Sequence, residues 1–175
     1  MAIRFFDMFS GIGGFRSGLE RIDGFECIGH CEIDKYANQA YNAMYQPKGE
    51  LFYEDARTIN PHELPDIDLI CAGFPCQAFS IAGLRGGFND SRGTLFFEIA
   101  RILRDKQPRA FLLENVKNLT LHDGGKTFSV ILNTLKELDR KQGFLLLITM
   151  DELYDCFPNV VDTFEPDVYE IDRYS

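Results

Sequence analysis

The sequence predicts an α/β protein built on a doubly wound, mostly parallel sheet. Short apolar, strand-like runs alternate with segments of helical periodicity between residues 3 and 149. This alternation is typical of βαβ units, which place helices on both faces of a parallel sheet. The most informative motifs follow directly after predicted strands, at the end of the sheet where such folds bind ligands.

The first predicted elements surround a glycine-rich turn. The apolar, aromatic run Ile3–Phe9 predicts a buried strand, and apolar residues at helical spacing predict a helix from Phe15 to Arg21. Gly24 ends that helix. A second strand, a second helix and a third strand are predicted next, at Phe25–His30, Asp34–Tyr45 and Leu51–Tyr53.

The second half of the chain continues the pattern. A fourth strand is predicted at Asp68–Ala72, after turn residues, and the clearest amphipathic helix runs over Thr94–Asp105. The remaining predicted elements are a strand, a helix and a strand, at Arg109–Leu113, Lys126–Leu138 and Phe144–Thr149.

Composition narrows the class of protein. A chain of 175 residues with 45% apolar content suits one soluble domain. It lacks an apolar run of membrane-spanning length and a signal-peptide pattern, so we expect a cytoplasmic protein with no membrane contact.

The cysteines indicate neither disulfides nor a metal site. The chain has five, and an odd number disfavours a disulfide framework. Cys27 and Cys31 are spaced like half of a metal clamp, but no second pair follows, so we expect no metal site.

Charge divides the chain into two parts. Residues 151–175 hold eight acids and one base, which leaves −2 of the total charge of −9 for residues 1–150. We therefore expect a nearly neutral domain over residues 1–150 and an acidic tail over 151–175. We expect so acidic a chain to bind duplex DNA weakly by itself, because contacts with the phosphates supply most of the affinity of a protein for DNA.

Polar or glycine residues follow three successive strands and predict a nucleoside-bearing cofactor. Glycines after the first strand permit a tight turn whose backbone can approach a ligand. An acid after a second strand commonly accepts hydrogen bonds from ribose hydroxyls, and Glu32 occupies that position. Asp55 follows the third strand and is placed to accept from an adenine amino group. Taken singly, the glycines also fit a simple strand-to-helix turn, and both acids fit a solvated surface.

A cysteine and a glutamate follow the fourth and fifth strands. Pro75 constrains the backbone before Cys76, and a strand-end position favours the thiolate, which is the nucleophilic form. If these two strand ends are neighbours, Glu114 faces Cys76 and can act as a general acid. The alternatives are an inert loop cysteine and a glutamate that caps the next helix.

Four segments together resemble the cytosine-5 DNA methyltransferases. They match in order and spacing, and the closest resemblance is to bacterial restriction–modification enzymes of the HhaI type, over residues 3–139. The segments are Phe9-x-Gly11-x-Gly13-Gly14, Gly73-Phe74-Pro75-Cys76-Gln77-x-Phe79-Ser80, Asp90-Ser91-Arg92-Gly93-Thr94-Leu95-Phe96 and Glu114-Asn115-Val116.

The resemblance implies a Rossmann-like, S-adenosylmethionine-dependent methyltransferase and assigns a role to each matching residue. Cys76 would attack carbon 6 of cytosine, so that carbon 5 accepts the methyl group. Glu114 would contact N3 and the exocyclic amine, and Asn115 would position Pro75. The implied cofactor-binding residues are Phe9, Gly11, Gly13, Gly14, Glu32, Asp55 and Leu95.

The substrate implied is double-stranded DNA with the target base flipped out of the helix. Residues Ser80–Ser91 resemble the loop that closes over DNA, and Ser80, Arg85 and Arg92 are the implied DNA-contacting residues. Ala82 departs from close relatives, which carry a serine there that enters the DNA helix. The family's Gln-x-Arg-x-Arg segment and target-recognition domain are not seen, so the resemblance is to a truncated enzyme, its N-terminal catalytic portion.

Three hypotheses remain open at this level. The first is a catalytic portion that works with a separate recognition part, supplied by a complementary subunit. The second is an inactive remnant that binds S-adenosylmethionine. The third is an interaction module whose tail, residues 151–175, docks on a protein partner; the same tail also fits a partly disordered terminus.

Overall fold

The computed structural model describes residues 1–75, 95–139, 144–149 and 169–170, the last two ranges by their backbone. The described strands form one sheet in the order β3-β2-β1-β4-β5-β6-β7. Strands β1 to β6 pair in parallel, and β7 pairs with β6 in the antiparallel sense. The strands are β1 (Ile3–Met8), β2 (Phe25–Cys31), β3 (Leu51–Tyr53), β4 (Leu69–Gly73), β5 (Ala110–Asn115), β6 (Phe144–Thr149) and β7 (Tyr169–Glu170).

Helices connect the parallel strands. Besides the α-helices, short 3-10 turns occur at Ala56–Thr58, Pro61–Glu63, Lys117–Thr120 and His122–Gly125. The α-helices are α1 (Gly14–Leu19), α2 (Lys35–Tyr45), α3 (Leu95–Lys106) and α4 (Lys126–Asp139). The predicted α/β class and the mostly parallel sheet are therefore confirmed.

Both faces of the sheet are covered, as alternation along β1 shows. Phe6 and Met8 pack in the main hydrophobic core together with buried residues of α3 and α4. Phe5 and Asp7 point to the other face and are equally buried. On that face, Tyr41 of α2 stacks on the neighbouring strand β2. The apolar runs seen in the sequence are buried strands because helices cover them on both sides.

The predicted boundaries are correct to within one or two residues, with one difference that affects the site. The predicted fifth strand stops at Leu113, whereas β5 continues through Asn115. Pairing with β6 extends it, since Glu114 and Asn115 lie opposite Ile148 and Thr149. The candidate acid is therefore held in a strand and not in a loop.

The acidic segment contributes one described element. Tyr169 and Glu170 pair with Leu147 and Leu146 on the outer edge of β6. The sequence pattern did not predict this strand, because two residues are too few to show a period.

No described helix has both the length and the apolar character that crossing a bilayer requires. Within the described ranges, no three histidine, cysteine, aspartate or glutamate side chains are grouped in a way that could hold a metal ion.

Candidate active site

The order of the strands marks one crevice in the sheet. From β1 the chain proceeds outward through β2 and β3, and it then returns to place β4 on the other side of β1. Ligands of doubly wound folds bind beyond the carboxyl ends of the strands at such a reversal. Residues 9–14 follow β1 and residues 74–75 follow β4, so two of the predicted motifs lie beside this crevice.

The turn after β1 needs glycine at position 13 for two reasons. Gly13 has φ +92°, in the left-handed region that favours glycine. A Cβ atom there would also overlap the aromatic ring of Tyr45. The Tyr45 hydroxyl donates a 2.8 Å hydrogen bond to the Gly13 carbonyl, so α2 holds the turn in place. Phe9 and Gly11 also have positive φ angles, each 55°.

Main-chain hydrogen bonds join the carboxyl ends of β1, β2 and β3. The amide of Ser10 donates to the carbonyl of Cys31 at 3.1 Å, and the amide of Glu32 donates to the carbonyl of Tyr53 at the same distance. The glycine turn, Glu32 and the residues that lead from β3 to Asp55 are therefore neighbours in space.

The Glu32 carboxylate bridges two loops. One oxygen accepts a 2.7 Å hydrogen bond from the amide of Gly11, and the other accepts one of 2.7 Å from the amide of Asp34. Each carboxylate oxygen can accept a further hydrogen bond. Glu32 is thus oriented by the protein and still able to accept from ligand hydroxyls.

Asp55 caps the short 3-10 turn that follows β3. Its carboxylate accepts from the amide of Arg57 at 3.0 Å and forms several charge-assisted bonds with the Arg57 guanidinium. These bonds hold the pKa of the Asp55 carboxyl below its usual range, so the group is an anion at neutral pH. Leu95, the other predicted cofactor contact, begins α3 and is half-buried.

The ends of β4 and β5 are neighbours, as the sequence analysis required. The β4–β5 register places Glu114 directly opposite Gly73. The side-chain amide of Asn115 donates a 2.6 Å hydrogen bond to the carbonyl of Phe74, and its oxygen accepts from the amide of Val116 at 2.9 Å. Asn115 therefore holds the main chain one residue before Pro75.

Glu114 lies against the glycine of the neighbouring strand. A Cβ atom at Gly73 would lie 3.1 Å from Oε2 of Glu114, so the glycine leaves room for the carboxyl group. Oε1 is buried and has no hydrogen-bond partner among the described residues. Burial raises the pKa of the Glu114 carboxyl to about 7. Protonated and ionised forms are therefore both populated near neutral pH.

Four predicted residues fall outside the described ranges. They are the predicted nucleophile and the three predicted DNA contacts, Cys76, Ser80, Arg85 and Arg92. Pro75, the last described residue before this segment, is exposed.

A buried ionisable group in β1, Asp7, was given no role by the sequence analysis. Asp7 is 0% exposed, and both of its carboxylate oxygens lack a hydrogen-bond partner within the described part of the chain. Burial raises the pKa of Asp7 to about 8, although the nearby Arg16 opposes the rise. The available signal was an aspartate inside an otherwise apolar predicted strand, where an isolated charge is costly.

The Arg16 guanidinium forms hydrogen bonds with Glu50 and Tyr41. Its guanidinium donates to both carboxylate oxygens of Glu50, at 2.7 and 2.9 Å, and to the Tyr41 hydroxyl at 3.2 Å. The sequence contained no local signal for this pairing, because Arg16 and Glu50 are 34 residues apart.

The fold agrees with the family to which comparison with known proteins assigns this chain. The family model of the C-5 cytosine-specific DNA methylases matches residues 3–147. This chain therefore belongs to that family.

Individual relatives are similar over the same region. The chain is 54% identical over 145 residues to the type II methyltransferase M.NgoBI of Neisseria gonorrhoeae, covering 83% of the chain and 44% of that protein. It is 52% identical over 137 residues to M.HhaI of Haemophilus parahaemolyticus, covering 78% of the chain and 41% of that protein. The chain thus spans less than half the length of these two relatives.

Solved structures support the fold. A mutant of DNMT2 from Spodoptera frugiperda superposes with a TM-score of 0.61 at 23% identity, covering 79% of this chain and 42% of that one. Dnmt2 of S. pombe gives a TM-score of 0.57 at 22% identity, covering 76% and 40%.

Proposed function

We propose that this chain supplies the cofactor-binding and catalytic part of a DNA cytosine-5 methyltransferase that uses S-adenosylmethionine. One observation carries the proposal. The Glu114 carboxyl group is buried, and its Oε1 has no hydrogen-bond partner among the described residues; its strand β5 pairs with β4, which Pro75 and Cys76 follow in the sequence. An acid that can exchange a proton near neutral pH, at a strand end adjacent to the one that a cysteine follows in the sequence, suits addition of a thiolate to a pyrimidine ring.

The described residues fit the proposed cofactor. Glu32 would accept from the ribose hydroxyls and Asp55 from the adenine amino group, since both present carboxylate oxygens at adjacent strand ends. The remaining proposed contacts are Phe9, Gly11, Gly13, Gly14 and Leu95. When bound, S-adenosylmethionine supplies an electrophilic methyl group.

Two side chains would act on the cytosine, and a third would position the loop that carries one of them. The Cys76 thiolate forms a bond with carbon 6, which makes carbon 5 nucleophilic. Glu114, protonated, donates to N3 and stabilises the negative charge that develops on the ring. Carbon 5 would then accept the methyl group and lose its own proton to a base, after which the bond between carbon 6 and sulfur breaks and Cys76 leaves as the thiolate. Asn115 contributes by fixing the main chain ahead of Pro75 and Cys76.

The proposed substrate is double-stranded DNA with the cytosine flipped out, at a cost of a few kcal/mol. Ser80, Arg85 and Arg92 would contact the DNA. With a net charge of −9, the chain has little electrostatic affinity for duplex DNA of its own. We therefore propose that residues 1–150 act together with a recognition part from outside this 175-residue sequence, with residues 151–175 as an acidic tail.

Covalent capture tests the proposal. A pool of random-sequence duplexes containing 5-fluorocytosine traps the enzyme, because fluorine blocks the final elimination. The chain would be incubated with the pool and S-adenosylmethionine, both alone and mixed with the C-terminal part of M.HhaI. We expect a DNA adduct at Cys76 by mass spectrometry, at least in the mixture, and none with Cys76→Ser.

The outcomes separate the remaining hypotheses. Cofactor binding by calorimetry without any adduct would identify a cofactor-binding remnant and overturn the proposed catalysis. Absence of both binding and adduct would overturn the whole proposal.

A further inference from the structure

A guanidinium from α3 holds the main chain next to Asp55. Arg101 donates to the carbonyl of Ile59 at 2.9 Å and to the carbonyl of Ala56 at 3.3 Å. The same group is paired with Glu98 one turn earlier on α3, at 2.8 Å. Its planar fork therefore binds a carboxylate on its own helix and two carbonyls more than 40 residues away in sequence.

The two carbonyls belong to the turn that sets the direction of Asp55. The amide and hydroxyl of Thr58 donate to the carbonyl of Asp55, at 2.9 and 2.7 Å. Ala56 and Ile59, on either side of this contact, are buried in the main core. The position of the Asp55 carboxylate thus depends on a turn that Arg101 ties to α3.

We propose that Arg101 is a positioning residue for recognition of the cofactor's adenine ring. By holding the carbonyls of Ala56 and Ile59, Arg101 keeps the Asp55 carboxylate where that group can accept a hydrogen bond from the exocyclic amino group. This inference rests on the proposed function, and it adds a residue that would not itself touch the cofactor.

The arrangement also links two parts of the site. Helix α3 begins at Leu95, at the end of the segment 76–94, whose first residue is Cys76. Arg101 lies less than two turns further along this helix. The helix that follows the catalytic segment and the turn that would read adenine are therefore joined by one side chain.

A deaminated ligand gives a readout that a purely structural role would not move. S-adenosylhomocysteine carries the amino group that Asp55 would accept from, whereas S-inosylhomocysteine carries a carbonyl there. Calorimetry of the 175-residue chain with both ligands yields a ratio of two Kd values. This ratio is independent of the fraction of protein that is folded, so a destabilised variant remains interpretable.

We expect the wild-type chain to prefer the adenosyl ligand by about tenfold or more, the value of one lost charge-assisted hydrogen bond. Asp55→Ala should abolish the preference. Arg101→Met should reduce it at least about threefold, and Arg101→Lys should lie between, because an ammonium lacks the planar fork.

Lys106 provides the matched control. It lies on the same helix and donates to a distant main-chain carbonyl, that of Leu64, at 2.8 Å. Lys106→Met removes a comparable cation–carbonyl contact away from Asp55, so the preference should stay at the wild-type value.

Two results would overturn the inference in distinguishable ways. If Asp55→Ala loses the preference and Arg101→Met keeps it, the positioning role is wrong and the proposed cofactor site stands. If the wild-type chain shows no preference between the ligands, the adenine-binding role proposed for Asp55 fails, and the role of Arg101 fails with it.

Discussion

The side-chain amide of Asn115 donates a 2.6 Å hydrogen bond to the carbonyl oxygen of Phe74, which joins the ends of β5 and β4. Asn115 is 4% exposed, so neither group can turn to water if the bond is lost. The contact spans 41 residues of sequence and fixes the main chain just before the Pro75-Cys76 pair.

Replacing this donor by an acceptor of the same shape should be destabilising. Asn115→Asp would place an oxygen against the Phe74 carbonyl, and we expect the free energy of unfolding to fall by about 1–3 kcal/mol. Urea unfolding followed by circular dichroism measures the change. Asn133→Asp, at an exposed position on α4, is the control and should change stability little. Equal stability of both variants would show that the Asn115 contact does not matter.

Glu114→Gln should separate chemistry from cofactor binding. The amide keeps the shape of the side chain but cannot transfer a proton to the base. We expect adduct formation on fluorocytosine DNA to slow by about 10²-fold or more, with the Kd for S-adenosylhomocysteine unchanged. In the wild type, loss of the proton as pH rises through about 7 should reduce the rate.

The pH dependence provides the internal check on this assignment. The limb near pH 7 should be absent from the Glu114→Gln profile and present in that of Glu137→Gln, an exposed position on α4. A limb that persists in Glu114→Gln would assign it to another group.

Asp7 should make the protein less stable as pH rises. Its pKa is about 8 in the folded chain and ordinarily 3.8, so between these values the folded state holds a proton that the unfolded state has lost. The free energy of unfolding should therefore fall with rising pH across this window, at up to about 1.4 kcal/mol per pH unit for this group.

Asp7→Asn removes that group. The difference between variant and wild type should shift in favour of the variant from pH 4 to pH 8, as measured by urea unfolding at several pH values. Using the difference cancels the contributions of Glu114 and His30, which also have shifted pKa values. Parallel curves for the two proteins would show that Asp7 does not titrate in this range.

Gly13→Ala should disturb the turn after β1. The residue has φ +92°, and the added methyl group would overlap the Tyr45 ring. We expect a loss of more than about 1 kcal/mol in the free energy of unfolding. Gly14→Ala is the matched control for stability, because a Cβ there would have no atom of the described residues within 4 Å apart from its own helix backbone and chain neighbours. If both substitutions cost the same, neither the strain nor the overlap is real.

Much of the fold could be predicted because its signals are local. The run Ile3–Phe9 is apolar and aromatic, as a buried strand requires, and Thr94–Asp105 shows the period of an amphipathic helix. β7 could not be predicted in the same way, because a two-residue strand exists only through its pairing with β6.

The candidate site likewise has residues that the sequence predicted and residues that it did not. The sequence predicted that Glu32 and Asp55 follow successive strands and that Cys76 and Glu114 follow the fourth and fifth strands. It did not predict the roles of Arg101 or Tyr45, because each acts on a carbonyl far away in the chain. Every residue has a main-chain carbonyl, so a sequence motif cannot indicate which carbonyl a distant side chain will contact.

The sequence by itself determined the order of strands and helices and the placement of glycines, acids and cysteine at strand ends, because these depend on residue type and local periodicity. Only the tertiary structure decided which strand ends are neighbours. It also decided that Asn115 holds Phe74 and that the carboxyls of Asp7 and Glu114 are removed from water. Desolvation of a carboxyl group depends on every element packed around it. The raised pKa values of Asp7 and Glu114 therefore arise only when the chain is folded.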